Sequence, residues 1–213
     1  MNARHPKAKP IPAHPDVTVL SEEVVWDGRF PVQRIRFRKR RFDGGEGGVQ
    51  TWELLRRGAA VAVLPWDPWA DRVALIEQFR LPALAAGLPP VMVECPAGLL
   101  DDGEDPVEAV RRELHEETGL EPDRVVPLGR YILTQGGCDE TISLFLARVR
   151  LPETGVVGHH GLEHEHEDIR LSVLPAEEAL AMLDDNRICN ATSALCLSAF
   201  ARRRAAMLKD WTA

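Results

Sequence analysis

Three glutamates within one predicted helix are the residues of this sequence best suited to chemistry. Glu113, Glu116 and Glu117 lie within residues 105–118, and their spacing places all three on one side of a helix. Like charges at that spacing repel one another, and the nearby C-terminal end of the helix dipole disfavours anions. The helix alone leaves two interpretations open: an acidic patch exposed to solvent, or a set of oxygen ligands for Mg²⁺, which binds carboxylates, waters and substrate phosphates.

The loop that precedes this helix favours the metal site. Residues 98–104 read GLLDDGE, and a glycine-bounded loop folded back on the helix can offer a backbone carbonyl as a further ligand. The helix also has clear ends: Asp105 can cap it, Pro106 suits its first position, and Gly119 suits a left-handed stop. The sequence therefore predicts a helix of defined length, preceded by a loop that can share a metal ion with it.

Loop and helix together carry a family motif. Residues 98–120 read GLLDDGEDPVEAVRRELHEETGL. This segment resembles the Nudix box, G-x5-E-x7-R-E-U-x-E-E-x-G-U with U an aliphatic residue, and every specified position is filled. The resemblance implies an α/β fold, the Nudix-type α/β/α sandwich with a mixed sheet. It also implies Mg²⁺-dependent hydrolysis of a nucleoside diphosphate linked to another moiety, with Mn²⁺ as a possible substitute.

Segments on both sides of the box extend the resemblance to the bacterial ADP-ribose pyrophosphatases of that family, from about residue 20 to the C-terminus. The matching segments are EQFR (77–80), CPAGLLDDGE (95–104), GGCDET (136–141), HGLEHEHEDIR (160–170) and ICNATSALCL (188–197). The resemblance implies cleavage of ADP-ribose to AMP and ribose 5-phosphate. It also implies a homodimer in which an N-terminal sheet region crosses to the other subunit and completes its site.

The resemblance assigns roles to individual residues around the metal. Arg112 is expected to orient a glutamate of the helix through a charge-assisted hydrogen bond. Glu165 is the expected general base, on a loop that can swing in when substrate is present; the alternative is that the acidic residues of this loop only contact solvent. The expected metal ligands are the Ala97 carbonyl, Glu113, Glu116, Glu117 and Glu167.

The resemblance also implies a set of substrate contacts. Arg57 and Arg80 match arginines that bind the diphosphate and the base-side ribose, and guanidinium groups suit phosphate geometry. Phe30 matches an aromatic residue that stacks on the adenine ring. Further matched contact positions are Glu53, Leu99, Thr134 and Glu140.

Three departures from the pattern concern the substrate and leave the metal site unchanged. Arg29 stands where an aromatic partner to Phe30 is expected, and Trp52 replaces an arginine. Gln135 replaces a proline that accompanies ADP-ribose specificity. They keep open an alternative substrate, GDP-mannose or another nucleotide sugar such as ADP-glucose. A non-catalytic ADP-ribose sensor is a more remote alternative, because such modules usually lose the helix glutamates that this chain keeps.

Composition excludes several classes of protein. The chain has 213 residues, 45% of them hydrophobic, which is too apolar for a disordered protein. No apolar run reaches the roughly 18 residues of a membrane span, so no membrane partner is expected. A net charge of −7 disfavours a nucleic-acid partner. The N-terminus lacks the apolar core of a signal peptide, and the four cysteines are expected to be free thiols, so the predicted location is cytoplasmic.

Patterning along the chain predicts three regions. Residues 1–16, basic and proline-rich, are predicted to be a disordered lead-in. Residues 17–57 read as an N-terminal antiparallel β region, the expected dimerisation or exchange element, and 58–213 as the Nudix domain. Within that domain strands dominate with three separated helices, while 81–90 and 153–168 are predicted to be loops.

Overall fold

The structure, a computed structural model, describes residues 7–162 and 166–212. The chain forms two compact units. The N-terminal unit contains the chain up to Gly58 together with Ile132–Thr141. The main unit contains Ala59–Tyr131 and the chain from Ile142 onwards.

The N-terminal unit is built on an antiparallel sheet of three strands, in the order β1-β2-β3. The segment 132–141 joins the end of this sheet: Leu55 N–H donates to the Gly137 carbonyl, and Thr141 N–H donates to the Gly58 carbonyl. The predicted N-terminal antiparallel β region is thereby confirmed. Its strands are β1 (Val17–Trp26), β2 (Val32–Lys39) and β3 (Gln50–Leu55).

The main unit contains an eight-stranded mixed sheet with the order β10-β11-β5-β4-β9-β8; β6 pairs with β5, and β7 pairs with β4. Its central strands β4 and β5 are buried over most of their length, as expected for strands covered on both faces. The strands are β4 (Ala59–Asp67), β5 (Arg72–Phe79), β6 (Val91–Glu94), β7 (Ala97–Leu99), β8 (Arg124–Ile132), β9 (Thr141–Arg148), β10 (Gly155–His160) and β11 (Ile169–Pro175).

Helices cover both faces of this sheet. Val110 and Leu114 of α2 pack against Val63 of β4. Trp66 lies three residues further along β4 and therefore points to the opposite face, where its ring lies 5.1 Å from that of Phe200 in α4. The predicted Nudix-type α/β/α sandwich is confirmed. The helices are α1 (Leu81–Ala85), α2 (Pro106–Thr118), α3 (Ala176–Asp184) and α4 (Ala191–Trp211).

The beginning of α4 is bonded to β6 and to the segment between β6 and β7. Asn190 caps α4 by accepting from Ser193 N–H (2.9 Å), and its Nδ2 donates to the Val93 carbonyl (2.8 Å). The Ser193 hydroxyl accepts from Cys95 N–H (2.8 Å), and both residues are buried. These bonds fix the chain just before β7.

Two predicted loops contain regular structure. The segment 81–90 includes α1, a single turn of helix, and 153–168 includes β10, which pairs antiparallel with β11. Both predictions of an unstructured loop were wrong at these positions. No described helix is both long enough and apolar enough to cross a membrane.

Candidate active site

The ends of α2 are fixed by the residues that the sequence indicates. The Asp105 carboxylate accepts from Val107 N–H (2.8 Å), and Pro106 is the first helical residue. Gly119 ends the helix with φ 68°, and its N–H donates to the His115 carbonyl (2.8 Å). The three glutamates therefore lie in the C-terminal half of α2.

Glu113 is packed against the backbone of β7. Glu113 is only 9% exposed, and Arg112 Nη1 donates to Glu113 Oε1 (2.7 Å). A Cβ atom added to Gly98 would lie 1.8 Å from that Oε1, so the position tolerates only glycine without movement. Burial raises the pKa of Glu113, against the opposing effect of Arg112.

Glu117 is the more deeply buried carboxylate, at 4% exposure. Ala97 N–H donates to its Oε2 (2.9 Å). Burial raises the pKa of Glu117 to about 8, although the Ala97 bond lowers it, and the charges of Glu113 and Glu167 raise it further. Crowded carboxylates of this kind form a site where a bound cation would be stabilising.

Arg112 ties the loop before α2 to the glutamates. Its Nε and Nη2 donate to the Glu104 carboxylate (3.0 and 3.1 Å), and Nη2 also donates to the Leu99 carbonyl (3.2 Å). Nη1 lies 3.3 Å from Glu116 Oε2, besides its bond to Glu113. The bonds to Glu104, opposed by burial, raise the pKa of Arg112, so this guanidinium is a permanent cation.

Arg80 follows β5 and forms a bidentate pair with Glu94 at the end of β6. Its Nη2 lies 2.8 Å and its Nε 3.2 and 3.1 Å from the Glu94 oxygens. Burial lowers the pKa of Arg80, but its bonds to Glu94 and the charges of Glu94, Glu117 and Glu167 outweigh this effect and raise the pKa. Glu167 accepts from Leu162 N–H (3.3 Å). In the main unit, Arg80 is thus paired with Glu94, and the charges of two predicted ligands act on it.

In the N-terminal unit, three predicted substrate contacts meet. The Arg57 guanidinium lies 4.5 Å from the centroid of the Phe30 ring, and its Nε lies 3.0 Å from Glu140 Oε1. Two other predicted contacts have different surroundings: Glu53 pairs with Arg34 of β2 (2.8 Å), and the Thr134 carbonyl accepts within the turn that follows it.

Some predicted features fall outside these contacts. Glu165, the expected base, lies outside the described residues. Within the described part of the chain, no group of three or more His, Cys, Asp and Glu side chains is disposed to hold a metal ion. The donors nevertheless fit a hard dication, because Glu113 and Glu117 are buried carboxylates, and burial raises the pKa of each.

Comparison with known proteins places this chain in a family. The sequence model of the NUDIX domain matches residues 56–191, more than half of the chain. The chain belongs to the Nudix family. Members of this family typically use a divalent metal.

Relatives of this Nudix hydrolase span most of its length. It is 34% identical over 196 residues to the ADP-ribose pyrophosphatase of Escherichia coli (strain K12), covering 92% of this chain and 93% of that protein. It is 35% identical over 147 residues to the GDP-mannose pyrophosphatase of Yersinia pestis (strain Pestoides F), covering 68% and 72%. A crystal structure of an ADP compounds hydrolase shares the fold, with a TM-score of 0.70, 22% identity, and coverage of 92% and 98%.

Two residues of this Nudix hydrolase that sequence reasoning missed support the predicted arginines. Glu94 binds Arg80, and Asp139 binds the backbone of Arg57 (2.8 Å). Each acidic residue could have been noticed only by its position: Glu94 ends a predicted strand, and Asp139 precedes the matched Glu140.

Proposed function

We propose that this Nudix hydrolase cleaves ADP-ribose to AMP and ribose 5-phosphate with Mg²⁺. The observation that carries the proposal is the similarity to the ADP-ribose pyrophosphatase of Escherichia coli, which extends over almost the whole chain. The complete box, with Glu113 and Glu117 buried beside β7, supports the metal-dependent part of the reaction.

The ion would be held by carboxylates of α2 and groups beside them. When bound, Mg²⁺ or Mn²⁺ neutralises diphosphate charge and makes water easier to deprotonate. Arg112 keeps the Glu113 and Glu116 carboxylates oriented, and Gly98 leaves room for Glu113. The proposed ligands are Glu113, Glu116, Glu117, Glu167 and the Ala97 carbonyl.

Substrate binding is assigned to the residues that match contact positions of the family. Arg80 and Arg57 would bind the diphosphate and the base-side ribose, because each guanidinium offers several donors to anionic oxygens. Phe30, already in contact with cations at its ring face, would stack on the adenine. Further proposed contacts are Glu53, Leu99, Thr134 and Glu140.

Glu165 is the proposed base that takes the proton of the attacking water. Glu165→Gln should lower kcat strongly and leave Mg²⁺ affinity nearly unchanged, since a base is needed for the chemical step and a ligand for binding. Steady-state kinetics and calorimetry together check this. A variant that loses Mg²⁺ affinity in proportion to activity would make Glu165 a ligand instead.

The deciding experiment is hydrolysis of a panel of nucleotide sugars in ¹⁸O-labelled water, with and without Mg²⁺. We expect ADP-ribose to give the highest kcat/KM, AMP and ribose 5-phosphate as products, and no turnover with chelator. The position of the label identifies the phosphorus that is attacked. Absence of ADP-ribose turnover by the wild-type protein would reject the proposal.

GDP-mannose is the second candidate substrate. The similarity to the Yersinia pestis GDP-mannose pyrophosphatase favours it, although it covers less of the chain. Trp52 adds an observation: its side chain is 47% exposed and packs edge-to-face on Phe37 (5.8 Å), which leaves part of its ring accessible to a base. A higher kcat/KM for GDP-mannose than for ADP-ribose would select this alternative.

A further inference from the structure

We propose that Asp139 is a positioning residue, which holds Arg57 in the conformation that binds substrate. The inference rests on the proposed function, because it takes Arg57 to be a substrate contact. Asp139 would not touch the substrate itself. All of the groups concerned lie in the N-terminal unit.

The Asp139 carboxylate closes the turn that carries Arg57. One oxygen, Oδ1, accepts from Arg57 N–H (2.8 Å) and from Gly58 N–H (3.4 Å). Gly58 has φ 91°, a left-handed conformation that favours glycine, so this turn is sharply bent. The carboxylate therefore satisfies two amide donors at the point where the chain changes direction.

The second oxygen anchors this carboxylate in the interior of the unit. Oδ2 lies 2.8 Å from Arg56 Nε, and Arg56 is only 7% exposed. Arg56 Nη1 donates to Gln33 Oε1 (2.8 Å), and Gln33 Nε2 donates to Glu22 Oε2 (3.1 Å). Asp139 thus links the turn to a polar chain that reaches through β2 to β1.

The backbone around Asp139 leaves it little freedom. Asp139 N–H donates to the Leu55 carbonyl (3.2 Å), and Leu55 N–H donates to the Gly137 carbonyl (2.8 Å). The next residue, Glu140, pairs with the Arg57 side chain. Two consecutive acidic residues therefore hold Arg57: Asp139 binds the Arg57 backbone, and Glu140 pairs with the Arg57 guanidinium.

This arrangement predicts a binding defect when Asp139 is lost. Without the carboxylate, the Arg57 amide loses its acceptor, so the backbone that places the guanidinium beside Glu140 and the Phe30 ring is no longer fixed. We expect Asp139→Ala to raise KM for ADP-ribose by about tenfold, with kcat changed by less than about threefold, because an interaction common to substrate and transition state is weakened. Mg²⁺ affinity should be unchanged.

A conservative variant separates positioning from stability. Asp139→Asn keeps an oxygen acceptor for the Arg57 amide but removes the charge beside Arg56. Both variants should unfold at lower temperature, because a buried arginine loses its counter-charge. Only Asp139→Ala should raise KM. An equal rise in KM for Asp139→Asn would overturn the proposal.

Asp43 provides a matched control in the same unit. It also accepts from a backbone amide, that of Gly45 (3.0 Å), and pairs with an arginine, Arg41 (2.6 Å), but in an exposed turn. Asp43→Ala should leave KM at the wild-type value. Should Asp139→Ala fail to fold, Arg56→Leu combined with Asp139→Ala removes the unpaired buried charge, and the same rise in KM is expected.

A double-mutant cycle decides whether the effect passes through Arg57. In an Arg57→Ala background, Asp139→Ala should leave KM unchanged, because the group that it positions is absent. A further rise of the same size would overturn the proposal. Failure of the proposed function would be seen differently, in the wild-type protein itself, which would then cleave another nucleotide sugar. The cycle would in that case be measured on that substrate.

Discussion

The Glu113 carboxylate packs directly against the backbone of Gly98, and this contact fixes the position of the carboxylate. We expect Gly98→Ala to reduce kcat/KM by about 100-fold, because a methyl group would displace Oε1 by about an ångström from its position. Kinetics with ADP-ribose check this. Gly48→Ala is the control, since a methyl group there meets no atom within 4 Å. Unchanged kinetics of Gly98→Ala would mean that Glu113 does not act from this position.

Substitution of Glu113 or Glu117 should affect activity far more than substitution of Glu108, another glutamate of α2. Glu113→Gln or Glu117→Gln should lower kcat by about 10³-fold, roughly 4 kcal/mol in barrier, because each removes a charged oxygen from a proposed metal ligand. Glu108, in the first turn and exposed, pairs only loosely with Arg111 (3.9 Å). Glu108→Gln should therefore retain activity. Calorimetric Mg²⁺ titration should show weaker binding for the first two variants alone.

At the residue scale, sequence spacing predicts the groups of the box and does not predict their partners. Glu113, Glu116 and Glu117 share one helix, so their proximity follows from helix geometry. Arg80 and Glu94 are 14 residues apart, and Asp139 and Arg57 are 82 apart. These pairs depend on how strands and loops are brought together, which no local pattern encodes.

At the scale of elements, α2 could be predicted because its signals are local. Asp105, Pro106 and Gly119 act within one turn of the helix ends. The strand β10 carries no such signal: its sequence, GVVGHH, contains two glycines, and it forms because β11 offers a free edge for pairing. The helix α1 is a single turn with Pro82 near its start, in a segment whose prolines indicate a loop.

Burial of carboxylates on α2 against β7 predicts a pH dependence of stability. The pKa of Glu117 is about 8 in the folded protein and 4.5 in its ordinary state. The folded state therefore binds this proton more tightly than the unfolded chain does. The resulting stability is complete below the unfolded pKa and is lost as pH rises towards the folded pKa.

The measurement is thermal unfolding with chelator present, between about pH 5 and pH 8. The wild-type Tm should fall with rising pH relative to that of Glu117→Gln, which has no proton to lose. Added Mg²⁺ should raise the wild-type Tm more at the upper end of this range, where the carboxylates are ionised. Parallel Tm curves for the two proteins would contradict a raised pKa at Glu117.

At the scale of the whole molecule, the resemblance to ADP-ribose pyrophosphatases predicts a homodimer with exchange of the N-terminal region. Glu113→Gln and Arg57→Ala lie in different units and each should impair activity. If one subunit's N-terminal region completes its partner's site, mixing the variants restores one intact site per mixed dimer. About a quarter of the wild-type activity should then return once the subunits of the two variants have reassorted into mixed dimers. No recovery, with mixed dimers verified by mass, would contradict exchange.

The bonds between α4 and the chain just before β7 connect an outer helix to the sheet. Ser193 binds Cys95, and Asn190 binds Val93. Two residues after Cys95, Ala97 N–H donates to the Glu117 carboxylate. The Glu117 carboxylate, a proposed metal ligand, is therefore connected by hydrogen bonds and two residues of backbone to a helix on the opposite face of the sheet. A substitution at the start of that outer helix is therefore expected to disturb the Glu117 carboxylate as well as the packing against the sheet.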